Sequence, residues 1–289
     1  MSLTILSTRP DIYSTRRILE EATKAGFPAE VIDYRACSLG IGKSSRVIHK
    51  GRDIHPQVII PRIGSKSSQF GAAVVRQFQG MGVLTTTQPG AILRARDKFA
   101  AIQALAAAGI PVPATSIARS PSGINEVLDL VNGAPVVVKL LEGTHGSGVV
   151  LAETKKAAES LITAFHQLDA DMCVQEFITE ANGEDIRAFV IGGNVVAAMK
   201  RRAAPGDFRA NLHMGGQAEE VILTEDETRY AIAAARSVGL DIAGVDMLRT
   251  SSGPLVLEVN VSPGLQGIEA TTGLNVAAEI VAYARLLLG

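Results

Sequence analysis

The chain has 289 residues, 47% hydrophobic and 20% charged, which suits a soluble globular protein of two or three small domains. No apolar run reaches the roughly 18 to 20 residues of a membrane span, the start lacks the pattern of a secretory signal, and Cys37 and Cys173 share no metal-ligand spacing, so a reducing cytoplasm is expected. Net charge is -1 but uneven: residues 1–93 hold 12 Lys and Arg against 6 Asp and Glu, the remainder 16 against 23, while 4% aromatics and no Trp argue against direct nucleic-acid binding by stacking.

In chain order, "LTILST" predicts a strand, "RRILEEATKAG" an amphipathic helix ending at Gly26, and "AEVID" and "VIIPRIG" two more strands. Strand, helix, strand argues for a parallel sheet. The helix "FGAAVVRQFQGMG" and the strand "VLTT" complete an open α/β unit over residues 1–93. A helix within "RARDKFAAIQALAAAG" stops at Gly109, and Pro111 and Pro113 lead into a new strand. "APVVVKLLEGTHGSGVVLAE" reads as two strands joined by a glycine-rich turn, followed by the helix "TKKAAESLITAFHQL" and the strand "MCVQEFI". A small middle lobe over 94–173 and a larger C-terminal lobe over 174–289 complete the layout, the latter with a helix at "TEDETRYAIAAARSVGL".

Four stretches carry candidate chemistry. Alternation in "LVLEVNVSPG" places Glu258 and Asn260 on one face and Leu257, Val259 and Val261 on the other. "AGVDMLRT" offers Asp246 on a second strand joined through "SSG", so antiparallel pairing would gather three oxygen side chains suited to Mg²⁺; an ordinary solvated strand face is the alternative. In "VVVKLLEGTHGSGVV", Lys139 precedes Gly143, Gly146 and Gly148, a spacing that suits a phosphate clamp or a plain flexible hairpin, and fits no Walker loop. "VQEFITEANGEDIRAF" places Glu176 and Phe177 after a strand and Asp185 and Arg187 on one face of the next, either a nucleotide edge or a surface ion pair. "MKRRAAPGDFRANLHMGGQA" clusters Lys200, Arg201, Arg202, Arg209, Asn211 and His213, which suits an anionic transition state. No Ser-His-Asp or Cys-His arrangement supports covalent nucleophilic catalysis.

Lys98, Lys139 with its glycines, "QEF", "DIR", "GDFRANLHMGG", Asp246 and "EVN", in that order, resemble the ATP-grasp superfamily. Within it, "IPRIG", "ARARDK", "GDFRANLHMGG" and "LEVNVSPGLQGIEATTG" resemble the RimK family, whose activity is addition of glutamate to the C-terminus of ribosomal protein S6; Val261 stands where that family typically has Ala. The resemblance implies an α/β protein with α+β lobes: an ATP-grasp fold whose N-terminal open parallel-sheet domain precedes two lobes enclosing the nucleotide. It implies that Lys98 and Lys139 meet ATP phosphates, Glu176 and Phe177 form the adenine hinge, and Asp185 lies at the ribose. Arg209, Ala210 and Asn211 would lie at the triphosphate, Asp246, Glu258 and Asn260 would hold Mg²⁺ or Mn²⁺, and Arg187 would steady the γ-phosphoryl group, with Arg187, Arg209 and Asn211 as the catalytic set. The implied substrates are L-glutamate and an acidic peptide or protein, the chemistry proceeds through an acyl phosphate, and the protein is expected to be a homo-oligomer. Closure of the glycine loop is expected to exclude water, and Arg62 to help attract the acceptor tail. Another carboxylate-amine ligase, acting on a carrier protein or a cofactor tail, and a non-catalytic ATP-binding scaffold are the competing expectations.

Overall fold

Strand β1 (Leu3–Leu6) is buried at every position, Thr4 included, as befits a strand flanked on both sides and covered on both faces. The computed structural model describes residues 2–117, 123–141 and 148–289. Helix α1 (Tyr13–Lys24) returns the chain to β2 (Ala29–Ile32), parallel to β1. A small antiparallel sheet follows, β3 (Cys37–Gly40), β4 (Arg46–His49) and β5 (Arg52–Asp53), where the sequence pattern predicts no strands. The chain then re-enters the first sheet as β6 (Val58–Pro61), α2 (Ser68–Gly80) and β7 (Leu84–Thr85), giving the all-parallel order β2-β1-β6-β7.

The helical pattern around Lys98 divides in two. Helix α3 (Pro89–Arg96) begins on a proline, whose missing N–H is harmless in a first turn. Asp97 leaves helical geometry and caps α4 (Lys98–Ala107), its carboxylate accepting from the N–H groups of Phe99 and Ala100. The expected border between 93 and 94 therefore falls inside α3. Ala91 and Ile92 of α3 and Ala101 and Leu105 of α4 share a core with Ala231 and Val256 of the C-terminal lobe.

The small lobe comprises β8 (Thr115–Ser116), α5 (Ile124–Asp129), β9 (Val136–Leu140), β10 (Val149–Ala152), α6 (Lys155–Gln167) and β11 (Met172–Glu176). Its antiparallel sheet has the order β10-β9-β11-β8, and Thr154 caps α6 at the N–H of Ala157. Gly143 and Gly146 of the expected phosphate clamp, and its closure, lie outside the described residues.

The large lobe comprises β12 (Glu184–Ile191), β13 (Asn194–Arg202), β14 (Gln217–Glu220), α7 (Glu225–Val238), β15 (Ile242–Thr250), β16 (Gly253–Asn260), α8 (Gln266–Thr272) and α9 (Val276–Leu286). Its antiparallel sheet runs β14-β13-β12-β15-β16. Thr224 and Glu227 form a reciprocal capping box that starts α7. Val276 and Ile280 of α9 pack with Ile5 and Ile18, so the last helix fastens the C-terminal lobe to the first domain. Tyr13 and Arg17 reinforce that seam by donating to Glu269 at 2.8 and 3.2 Å. No helix among the described residues is long and apolar enough to cross a membrane.

Candidate functional site

The hairpin β15–β16 places Asp246 opposite Glu258 and Gly244 opposite Asn260. Directly opposed residues share a face, so the three oxygen side chains predicted from the alternation do converge. A β-bulge intervenes after Asp246: Met247 pairs with Val256, leaving Leu257 as the extra residue. Leu257 is consequently half-buried, whereas the pattern predicted it on the buried face with Val259 and Val261; Val256 fills that place instead.

Asp246 is 4% exposed and gripped from two strands. Arg187, its register partner on β12, donates Nε to Oδ1 at 2.7 Å and Nη2 to Oδ2 at 2.6 Å. Arg201 on β13 lies 3.2 Å from Oδ2 and forks onto Asp185 at 2.6 and 2.7 Å. Asn260 Nδ2 donates to Asp246 Oδ2 and to the carbonyl of Gly244, both at 3.3 Å, which leaves its amide oxygen facing elsewhere. Burial opposes ionisation of Asp246, but the charges of Arg187 and Arg201 outweigh it and hold the carboxyl below its ordinary range. For Asp185 the balance reverses, because burial, aided by repulsion from Asp246, outweighs the attraction of Arg201 and raises its pKa.

Glu258 has no hydrogen-bond or ion-pair partner among the described residues, an unusual condition for a half-buried carboxylate. With Asp246 and the Asn260 oxygen it forms an all-oxygen donor set, chemically suited to a hard divalent ion that takes one or two carboxylates and completes its shell from phosphates and water. Among the described residues no group of three or more His, Cys, Asp or Glu could hold a metal by itself.

Lys139 and Lys98 both lie at the end of β9. Lys139 pairs across β9 with Cys173 of β11 and donates Nζ to Gln175 at 2.5 Å. Burial lowers its pKa, while Cys173, Glu258 and Asp246 pull the other way, so the small-lobe lysine and the large-lobe carboxylates lie within electrostatic reach. Lys98, at the start of α4, donates Nζ to the carbonyls of Leu140 and Leu141 at 3.0 and 3.2 Å. It ties α4 to the end of β9.

The N–H of Glu176 is taken by the Ala114 carbonyl and that of Phe177 by Pro135, so base recognition here would use groups other than these two donors. Phe177 meets Phe208 edge to face with ring centroids 6.0 Å apart, and the Arg209 guanidinium lies 5.7 Å over the Phe208 ring. Asp207 orients Arg209 through two side-chain bonds, 3.0 and 2.9 Å. Ala210 is buried, and the Asn211 carbonyl closes the short turn Leu212–Met214. Gly216 lets this segment fold back, since a Cβ there would sit 2.8 Å from the Arg202 carbonyl. The structure thus brings Phe177 against Phe208 and sets Lys139 within electrostatic reach of Asp246 and Glu258, while Lys98 bonds the end of β9.

Arg201, expected only as part of a basic cluster suited to an anionic transition state, is instead locked onto Asp185 and Asp246. At 3% exposure it is the most enclosed charge in the relay, whereas its neighbours Lys200 and Arg202 pair with surface carboxylates. Strand alternation within "KRR" was the signal that could have separated them. Arg62, expected on an attractive basic surface, is instead half-buried with Nη2 donating to the carbonyl of Pro263 at 2.8 Å.

Residues 1–92 match the family model described as RimK PreATP-grasp domain, and residues 95–284 that described as RimK-like ATP-grasp domain. A probable alpha-L-glutamate ligase of Aliivibrio salmonicida is 53% identical over 285 residues, 98% of this chain and 95% of that protein. Probable alpha-L-glutamate ligase 1 of Shewanella amazonensis is 51% identical with the same coverage. Among solved structures, the ATP-grasp ligase PsnB, complexed with a phosphomimetic variant of its minimal precursor, Mg and ADP, aligns with a TM-score of 0.76 over 100% of this chain and 98% of that one. At 20% identity this likeness is one of fold.

Proposed function

The chain belongs to the RimK-like ATP-grasp family, and from that premise we propose that it joins L-glutamate to the C-terminal carboxylate of an acidic peptide or protein in an ATP-dependent reaction, with the ribosomal protein S6 tail as the first acceptor to test. One observation supports the reading: an unpartnered Glu258 opposite Asp246, with Asn260 beside them and Lys139 within electrostatic reach, suits a site for a metal ion and a triphosphate. Relatives at 51–53% identity that are named probable alpha-L-glutamate ligases support glutamate as the amine.

In this reading Lys98 and Lys139 neutralise ATP phosphates, and the segment Arg209, Ala210 and Asn211 borders the triphosphate. Phe177, with Glu176, faces the base, and Asp185 with its Arg201 partner borders the ribose side. Asp246, Glu258 and the Asn260 oxygen would hold Mg²⁺ or Mn²⁺, whose contribution is to offset the charge that separates as the γ-phosphoryl group leaves. Arg187, locked by Asp246, needs little reorientation to present its remaining N–H groups to an oxyanion. An acceptor carboxylate oxygen attacks the γ-phosphorus and ADP departs. The glutamate amine then attacks the acyl carbon, phosphate leaves, and the nitrogen loses a proton to form the amide. Positioning and charge neutralisation dominate such a sequence, which suits a site rich in Lys, Arg and carboxylate and without a triad.

The test incubates the protein with ATP, Mg²⁺, each amino acid in turn and an S6 C-terminal peptide, reading ADP release and peptide mass. Glutamate-dependent lengthening supports the proposal; turnover only with another amino acid rejects it. Glu258→Gln should lower turnover by about 100-fold or more, since ion-assisted charge neutralisation contributes several kcal/mol. It should leave the urea midpoint nearly unchanged, because Glu258 makes no hydrogen bond or ion pair among the described residues. Wild-type turnover in that variant at ordinary Mg²⁺ would remove Glu258 from the site.

A further inference from the structure

Arg62 follows β6, and Arg96 ends α3. Arg62 Nη2 donates to the carbonyls of Pro263 and Ser262 at 2.8 and 3.4 Å, and Arg96 Nη2 donates to the carbonyl of Ile63. Ser262 Oγ reaches that same Ile63 carbonyl at 3.4 Å, so both guanidinium groups end at one junction between the first domain and the turn after β16. The Nε atoms of both are buried with no acceptor, and neither side chain has an ion-pair partner among the described residues.

Burial first, and then the charge of Arg96, pushes the Arg62 pKa down to about 10. Burial also lowers that of Arg96, and Glu258 is the leading charge that resists this. Two half-buried cations whose buried Nε atoms lack acceptors, which repel each other and donate only to neutral carbonyls among the described residues, are unfavourable in the free protein, and an anion would relieve both the burial and the repulsion. The forked donors of a guanidinium match a carboxylate in two places. Because Arg62 donates to Ser262 and Pro263, two and three residues beyond Asn260, and Arg96 shares the Ile63 carbonyl with Ser262, the pair lies beside the end of β16, whereas Lys139 belongs to the small lobe.

We propose that Arg62 and Arg96 form a carboxylate subsite beside the Glu258 end of β16, holding a carboxylate of the peptide acceptor or of the incoming glutamate and not the nucleotide. The assignment of glutamate and peptide as ligands rests on the function proposed above; the anion-binding character rests on the arginines themselves.

Arg62→Gln, Arg96→Gln and the conservative Arg62→Lys are compared with the wild type by calorimetric titration of L-glutamate and of tri-glutamate peptide, with a non-hydrolysable ATP analogue present, and of the analogue alone. Each Gln variant should weaken at least one carboxylate probe by about tenfold or more, the scale of a lost charged hydrogen bond, with Arg62→Lys intermediate. Nucleotide affinity should change by less than about twofold, since neither arginine is assigned to the phosphates. The unliganded melting temperature should hold or rise, because a repelling cation has gone. Loss confined to free glutamate identifies the amine donor as the ligand; loss confined to the peptide identifies the acceptor. Unchanged probe affinity in both Gln variants, an equal loss of nucleotide binding, or a wild type that binds neither probe overturns the subsite. A wild type that binds a probe through this pair yet lengthens no peptide rejects the glutamate-ligase reading and keeps the subsite, so the two failures are separable.

Discussion

Arg187 and Arg201 lie on neighbouring strands of one sheet and each forks onto a carboxylate, whereas Arg62 and Arg96 meet across a domain junction and donate to carbonyls. In the first region two acids and two bases alternate as Asp185, Arg201, Asp246 and Arg187, so the charge is balanced within the fold and each guanidinium is oriented through its Nε and Nη2. Such a relay orients groups more than it stabilises them. In the second region the positive charge is left over. The difference separates a wall, whose geometry exists before any ligand arrives, from a pair of cations whose favourable partner has to come from outside.

Asp246→Ala breaks the balanced region hardest, because it strands Arg187 and Arg201 beside an empty position. Urea unfolding should register a loss of about 3–5 kcal/mol. Arg96→Gln, by contrast, leaves no carboxylate unpaired and should stay within about 1 kcal/mol of wild type. Similar losses in the two variants would erase the distinction between the regions. Gly244→Ala probes where they touch: its new methyl would lie 2.8 Å from Pro263 Cβ and 3.7 Å from Arg187 Nε. Displacing the turn that carries the Pro263 carbonyl should cost about 1–3 kcal/mol, and a melting curve matching wild type would show that the turn yields freely.

Asp207 and Arg209 supply a third and milder case, a paired arginine on a partly open loop. The hydrogen bond from Arg209 is the main cause that holds the Asp207 carboxyl at about 2, against an ordinary value of 3.8. A depressed acid pKa means stability that is fully present above 3.8 and lost as pH falls from there toward about 2. Asp207→Asn should flatten that part of the acid unfolding profile by a small amount, given the solvent around the pair. An unchanged acid limb would show that the pairing contributes nothing to folding.

The parallel front sheet was legible because "LTIL" and "VIIP" are rich in Leu, Ile and Val, as doubly covered strands need. The sheet β3-β4-β5 was not, since "RVIH" and "RD" are short and largely polar and owe their pairing to one another. Glu258 and Asn260 on a common face followed from alternation, and Asp246 opposite them from the short "SSG" link. The bulge that exchanges Leu257 for Val256 is a matter of register, which alternation assumes and cannot reveal. The break at Asp97 was visible in principle as a cap residue, but the helical pattern on both sides concealed it.

By itself the sequence determined the long helices and the apolar strands, the order of the lobes and the inventory of Lys, Arg and oxygen side chains, because propensity and periodicity act between near neighbours in the chain. Which arginines are neutralised and which keep their charge was decided only by the tertiary structure. Arg201 finds Asp185 and Asp246 through sheet register, and Arg62 finds Arg96 through domain docking, so compensation depends on distances in space that no local pattern carries.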